Sequence, residues 1–274
     1  MSTDLEWEKW GRQEPYFGVI TAERFRANRL DEAALAEFFA SGQQHMECVL
    51  HSCRSYFDAA FTPKRVMDFG CGVGRLLIPF AALADEVVGV DVSAAMLAEA
   101  AKNCEERSLA NVQLALSDDE LSRVDGTFDL VHSAITLQHI EVQRGRQIIK
   151  RLIERLAPHG VMALQITYAK ADRPDTFGQL APAEPAAPQP AVPIQPVVDT
   201  LTRLLSRGRR SDELEPTSSD RMSPADPEMQ MNPYHLSEIA YLMQTAGIAG
   251  FHAEFTDHGG ELGVFLYFRR PQVA

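Results

Sequence analysis

Three glycines at alternate positions, Gly70, Gly72 and Gly74, divide the strand-like run Arg65 to Phe69 from a helix whose apolar pattern starts near Gly74. At such a crossing the missing side chains permit a tight turn and let backbone N–H groups come close to a ligand. The spacing narrows what that ligand is. A P-loop ends in Lys-Ser or Lys-Thr, and the pyrophosphate fingerprint reads Gly-x-Gly-x-x-Gly; neither stands here. Asp68 precedes the first glycine by two residues, and a carboxylate there repels pyrophosphate while attracting a cationic amine. Seventeen residues beyond Gly74, Asp91 closes the run Val88-Gly89-Val90-Asp91. A carboxylate at that strand end can accept hydrogen bonds from both hydroxyls of an unphosphorylated ribose. Ser117-Asp118-Asp119 follows the next strand and either meets an adenine amino group or lines a surface turn. Together these residues suit a nucleoside that carries a positive charge and no phosphate.

From Pro63 onward short apolar runs alternate with helical stretches, which is the pattern of a βαβα chain. The strands are expected at Arg65 to Phe69, Glu86 to Val90, Val112 to Leu116, Phe128 to Ser133 and Val161 to Ile166. Between them, Ser93 to Glu106 carries the apolar stripe Ala94, Met96, Leu97, Ala100 and Ala101, and Ile148 to Leu156 forms another before Pro158-His159-Gly160. Pro79 interrupts the helix after the glycine loop. Ahead of the core, Met46, Val49, Leu50, Cys53 and Phe57 predict one helix behind Ser41-Gly42, and Leu35, Phe38 and Phe39 another before it. After residue 232, Asn232-Pro233 reads as a cap and first turn, with Leu236, Ile239, Leu242 and Met243 as the buried stripe. Phe251 to Phe255 and Val264 to Phe268 pair as an antiparallel hairpin through Asp257-His258-Gly259-Gly260.

Composition bounds the rest. Lys plus Arg number 26 against 38 Asp plus Glu, a net charge of −12, which argues against nucleic acid as a partner and favours a small or neutral one. Cys48, Cys53, Cys71 and Cys104 show no metal-site spacing and read as free thiols in a reducing compartment. No basic leader and no apolar run of membrane-spanning length is present, so the expected location is the cytoplasm. Residues 181–196 hold six prolines among alanines and read as extended or disordered. The chain therefore divides into an N-terminal helical cap (1–62), a ligand-binding core (63–171), a proline-rich insertion (172–231) and a C-terminal completion of the core (232–274).

On these motifs the sequence resembles the class I S-adenosylmethionine-dependent methyltransferases, strongly over residues 63–168 and more weakly over 233–268. Asp68, Gly70, Gly72 and Gly74 match the family's first motif, Asp91 its ribose-binding acid, and Asp118 or Asp119 the acid beside the adenine. Phe128 to Ser133 matches the strand whose end faces the methyl donor. The resemblance implies an α/β fold, a Rossmann-like, mostly parallel seven-stranded sheet with a terminal antiparallel hairpin. It is most similar to bacterial enzymes with Trp-Gly-x-x-x-Pro-Tyr-Phe-Gly near the N-terminus, here Trp10 to Gly18, and with Leu137-Gln138-His139-Ile140 after the fourth strand.

The implied chemistry is methyl transfer from S-adenosylmethionine to oxygen or nitrogen of a small or glycosidic metabolite, with no metal required. His139 is the candidate base, because it follows the fourth strand and titrates in a useful range; it also serves as a loop-fixing residue in the alternative reading. Gln138 orients the acceptor or meets the methionine end of the donor, or simply packs. Cys71 within the glycine loop and Val92 after Asp91 are expected among the donor contacts, Met96 packs under the nucleoside, and Ser133 stands near the sulfonium. His132 reads as structural. Tyr16 and Phe17 either form an aromatic lid over the donor or acceptor or anchor the N-terminal helices to the sheet. Two other readings stay open: a noncatalytic nucleoside-binding or partner-recruiting protein, and an NAD-dependent oxidoreductase, whose weak point is the glycine spacing.

Overall fold

Alternate residues of the central strands point to opposite sides, and both sides are apolar, so the sheet has to be covered twice. The computed structural model describes residues 3–171, 222–223 and 225–271; the proline-rich run lies outside them. Strands β1 (Arg65–Phe69), β2 (Glu86–Asp91), β3 (Val112–Leu116), β4 (Phe128–Ser133) and β5 (Leu156–Lys170) are parallel. With β6 (His252–His258) and β7 (Glu261–Arg269) they form one sheet in the order β3-β2-β1-β4-β5-β7-β6, in which β7 is antiparallel to both its neighbours. The strand order reverses between β1 and β4, and ligands bind at the carboxyl ends of strands beside such a switch.

One face carries Val66, Val87, Leu130, Val161 and Phe265 under helices α3 (Glu32–Tyr56) and α4 (Leu77–Ala81). The other carries Met67, Val88, Val131, Met162 and Leu164 under α6 (Val142–Glu154) and α7 (Leu236–Thr245). Each large side chain so buried contributes about 1.5–3 kcal/mol. Helix α5 (Ala94–Glu105) follows β2, its first turn closed by the Ser93 hydroxyl, which accepts from the Met96 amide at 3.1 Å. At the N-terminus α1 (Thr3–Gln13) and α2 (Pro15–Val19) build a separate aromatic cluster around Trp10, Phe17, Phe25 and Phe38. Tyr16 donates to Glu99 at 2.8 Å, so Tyr16 and Phe17 anchor this cluster and do not line the cleft described below.

Four local expectations are corrected. The two helices expected on either side of Ser41-Gly42 are one helix of 25 residues, capped by Asp31, which accepts from the Ala34 amide at 2.8 Å. Gly42 does not break it. A Cβ there would collide with the Arg75 carbonyl oxygen, and Pro79, four residues on, has no N–H to give that oxygen; the glycine lets α3 settle on it. Strand β5 starts at Leu156 and passes the expected stop through a register shift opposite Phe128–Leu130, with His159 at φ 65°. It runs on to Lys170 because β7 pairs along it as far as Glu261. The last helix starts at Leu236, since Asn232 and Tyr234 spend their amides on the carbonyls of Gln138 and Thr167.

Candidate active site

The carboxyl ends of β1, β2 and β4 surround a cleft of about 900 Å³, open solvent at its mouth included, a size that suits a nucleoside-sized ligand. Its floor is the glycine loop. Gly70, Gly72 and Gly74 have φ of 77°, 51° and 89°, which other residues enter only with strain, and a Cβ on Gly70 would collide with the Thr136 side chain. The amides of Gly70 and Cys71 both donate to the Val90 carbonyl, at 2.7 and 3.1 Å. Asp91 accepts from the Gly72 amide at 2.9 Å through Oδ2 and from the Ser93 amide at 2.9 Å through Oδ1. Those bonds fix the carboxylate plane and leave acceptor capacity on both oxygens. Burial pushes this carboxyl up to about 6, against the pull of the backbone amides.

Two opposite charges end in the same cleft with unused hydrogen-bonding positions. Asp68 is 2% exposed; Oδ1 accepts from His132 Nδ1 at 2.8 Å, and Oδ2 has no partner among the described residues. Arg75 is 8% exposed; its Nη1 donates to Ser41 at 3.3 Å and its Nε has no partner among them. Burial lowers the Arg75 pKa, partly offset by Asp68. Buried groups left short of partners are costly. A ligand end that is itself zwitterionic, ammonium toward Asp68 and carboxylate toward Arg75, answers both.

The opposite wall is assembled from distant segments. Ile135 sits at φ 54°, a strained conformation for a β-branched residue, held by the Gln165 side chain, which accepts from its amide at 2.9 Å. His139 follows in a short 3-10 turn, Leu137–His139. Its Nδ1 lies 2.8 Å from the Gln230 carbonyl, which only accepts, so Nδ1 carries the proton. Burial brings its pKa down to about 4. Helix α1 lies across this wall: Thr3 donates to the His139 carbonyl at 2.8 Å, and Trp7 stands 4.9 Å from the imidazole, centroid to centroid. Arg144 joins Asp4 at 2.5 Å to Asp119 at 2.7 Å. Glu8 accepts from the Ser93 hydroxyl at 2.9 Å and the Ala95 amide at 3.1 Å, tying α1 to the start of α5.

Asp68, Gly70, Cys71, Gly72, Asp91 and Val92 all line the cleft, as do Met96 and His139. Gly74 closes the loop from behind through its amide to the Cys71 carbonyl at 2.9 Å. The remaining expected residues do not line it. Asp118 shapes its own turn, accepting from the Ser122 amide at 2.9 Å, Asp119 is held by Arg144, and Ser117 alone of that trio reaches the cleft. Ser133 is fully buried at the end of β4 with no partner for its hydroxyl among the described residues. Gln138 is buried and accepts from Thr167 at 2.7 Å. Sequence reasoning missed Arg75, Thr136 and Arg144. Arg75 alone had a local signal, its place directly after the glycine loop; the other two reach the cleft only through folding.

Residues 66–160 match the model of a family described as a methyltransferase domain. The chain is 31% identical over 106 residues to the mitochondrial ubiquinone biosynthesis O-methyltransferase of Schizosaccharomyces pombe, a match covering 38% of each chain. Its matches span only 12% to 38% of the length of the curated relatives. Among solved structures it is similar to magnesium protoporphyrin IX methyltransferase from Synechocystis PCC 6803 with bound S-adenosylmethionine, with a TM-score of 0.56 at 16% identity over 98% of both chains. The N-methyltransferase NodS of Bradyrhizobium japonicum in complex with S-adenosyl-L-homocysteine gives 0.54 at 13% identity, over 97% of this chain and 100% of that one. At those identities the two structures speak for a shared fold. Among the described residues no helix is long and apolar enough to cross a membrane.

Proposed function

We propose, on the premise that this chain belongs to the class I S-adenosylmethionine-dependent methyltransferases, that it transfers a methyl group from S-adenosylmethionine to oxygen or nitrogen of a small or glycosidic metabolite. The observation that carries the reading is the distribution of polar atoms in the cleft. Asp91 is fixed by two backbone amides with acceptor capacity to spare, and Asp68 and Arg75 offer a separated negative and positive pair, each with an open position. That is a ribose acceptor and an amino-acid receptor in one cleft.

S-adenosylmethionine supplies an electrophilic methyl carbon when bound. The chain's own residues orient it and exclude water: Asp91 accepts from the ribose hydroxyls, Asp68 receives the ammonium and Arg75 the carboxylate. Val92 and Met96 pack against the nucleoside, and Ser117 supplies the polar contact at its base. His139 serves as a wall and a latch for α1: its Nδ1–H is spent on Gln230, its Nε2 faces the Gln138 side-chain nitrogen at 3.5 Å, and burial leaves a weakly basic ring. Gln138 holds that turn against β5, and Asp119 holds Arg144. Relatives named as O-methyltransferases of ubiquinone and magnesium-protoporphyrin biosynthesis support a small-molecule acceptor.

The test pairs calorimetry of S-adenosylmethionine with a screen of phenols, amines and glycosides, scored by formation of S-adenosylhomocysteine. Micromolar binding together with turnover on a member of the panel supports the reading. No binding of either nucleoside at millimolar concentration overturns it.

A further inference from the structure

Asp68, read above as the receiver of the donor's ammonium, is itself held from behind. It is paired with His132 across the parallel strands β1 and β4, and His132 Nδ1 lies 2.8 Å from Asp68 Oδ1. On the far side of the ring, His132 Nε2 is 3.1 Å from Nε2 of His45 on α3. His45 reaches that point because Gly42, one helical turn before it, lets α3 settle on the Arg75 carbonyl. Phe80 and Phe265 pack beside the fully buried His132, their centroids 5.4 and 6.2 Å from that of the imidazole, and fix the plane of the ring. Asp68 lines the cleft and neither histidine does. Its Oδ1 is spent on His132, and Oδ2 is the atom without a partner among the described residues.

The partners order the hydrogens along this row. A carboxylate only accepts, so His132 Nδ1 carries hydrogen. One hydrogen lies between the two Nε2 atoms. Supplied by His132, it would make that ring a cation and pair off the Asp68 charge before any ligand arrived. Supplied by His45, it leaves His132 neutral, donating to Oδ1 and accepting at Nε2, and the negative charge of Asp68 stays available to the cleft. His45 is suited to that part as a neutral ring: burial first, then His132, Arg75 and His258, hold it well below the ordinary histidine range.

We infer that, given S-adenosylmethionine as the donor, His132 is a positioning residue for the donor's ammonium: its Nδ1–H turns Asp68 so that Oδ2 meets the ammonium, and His45 holds His132 in the hydrogen arrangement this needs. Without His45 the ring can carry its hydrogen at Nε2 and show Asp68 a lone pair, which repels the carboxylate. Both histidines act through Asp68, and the ligand touches neither.

Calorimetry of the full chain compares two probes, S-adenosylmethionine and 5′-methylthioadenosine, which keeps the nucleoside and lacks the amino-acid end. In His132→Leu the Kd for S-adenosylmethionine is expected to rise at least about tenfold, while that for 5′-methylthioadenosine stays within threefold of wild type. A histidine that only fills the core would weaken both alike, so an equal loss overturns the inference. His132→Asn puts an amide N–H where Nδ1–H stood and brings S-adenosylmethionine back to within threefold; no recovery overturns the inference. His45→Phe raises that Kd about fivefold in the wild-type chain and leaves it unchanged in the Asn background, where there is no tautomer to hold. Equal effects in both backgrounds remove His45 from the role. If His132→Leu does not fold, long-range nitrogen–proton correlation spectra of the wild-type chain, assigned with His45→Phe and His132→Asn, decide the matter. Hydrogen on His132 Nδ1 alone supports the inference, and hydrogen on Nε2 or on both nitrogens overturns it. A wild-type chain that binds neither probe overturns the donor reading, and the inference with it. A wild-type chain that binds S-adenosylmethionine, with His132→Leu keeping both affinities, overturns the inference alone.

Discussion

The two walls of the cleft are built in opposite ways. The glycine-loop wall is made of backbone amides and one carboxylate drawn from residues 70–93, and its bonds stay within neighbouring strand ends. The other wall gathers Thr136, His139 and Arg144 against a helix that begins more than 130 residues earlier in the chain. The first is a rigid product of local geometry, since positive φ angles and adjacent parallel strands leave it few alternatives. The second depends on side chains that hold α1 in place.

Substitutions sharpen that contrast. On the rigid wall, Asp91→Ala removes both the ribose acceptor and the anchor of the Gly72 amide, and the Kd for S-adenosylmethionine is expected to rise about 100-fold or more; calorimetry within threefold of wild type would refute the ribose role. Gly70→Ala tests where the two walls touch. It costs about 2–3 kcal/mol of stability from its φ and its collision with Thr136, and adding Thr136→Ala recovers the collision part, seen as a rise in Tm. No recovery would place the whole cost in the backbone.

The pH dependence follows from Asp91. With a carboxyl at about 6, the ionised form that accepts two hydroxyl protons is present above that value and is lost as pH falls through it. Donor affinity should therefore weaken below pH 6 by up to about tenfold per unit, and a flat profile from pH 7 to 5 would remove Asp91 from the ribose. Stability runs the opposite way: a carboxyl raised above its unfolded value destabilises the ligand-free fold as pH climbs from about 4 to 6. On the assembled wall, Arg144→Ala releases Asp4 and Asp119 from the α1 latch. Its guanidinium is partly exposed, so the effect is smaller, about fivefold faster donor release by stopped-flow; an unchanged rate would mean that α1 does not gate the cleft.

Much of the fold was legible because hydrophobic period and turn residues are local. Apart from β5, the strands, the hairpin at Gly259-Gly260 and the Ser93-led helix all stood within three residues of their expected places. Gly42 shows where local reasoning fails: its signal is that of a turn, yet its cause is the Arg75 carbonyl that Pro79 leaves without a partner. His132, read as structural from its place inside a strand, is fully buried and bridges Asp68 to His45, which had no motif of its own.

By itself the sequence determined the glycine turn, the acid at the end of β2 and the alternation that makes a doubly covered sheet, because each depends on spacing along a short stretch of backbone. Only the tertiary structure decided that Arg75 completes a charge pair with Asp68, that Asp119 is bound to Arg144 and turned from the cleft, and that α1 closes over His139. Those are contacts between side chains far apart along the chain, and their distances are set by how helices pack on the sheet, which no local pattern encodes.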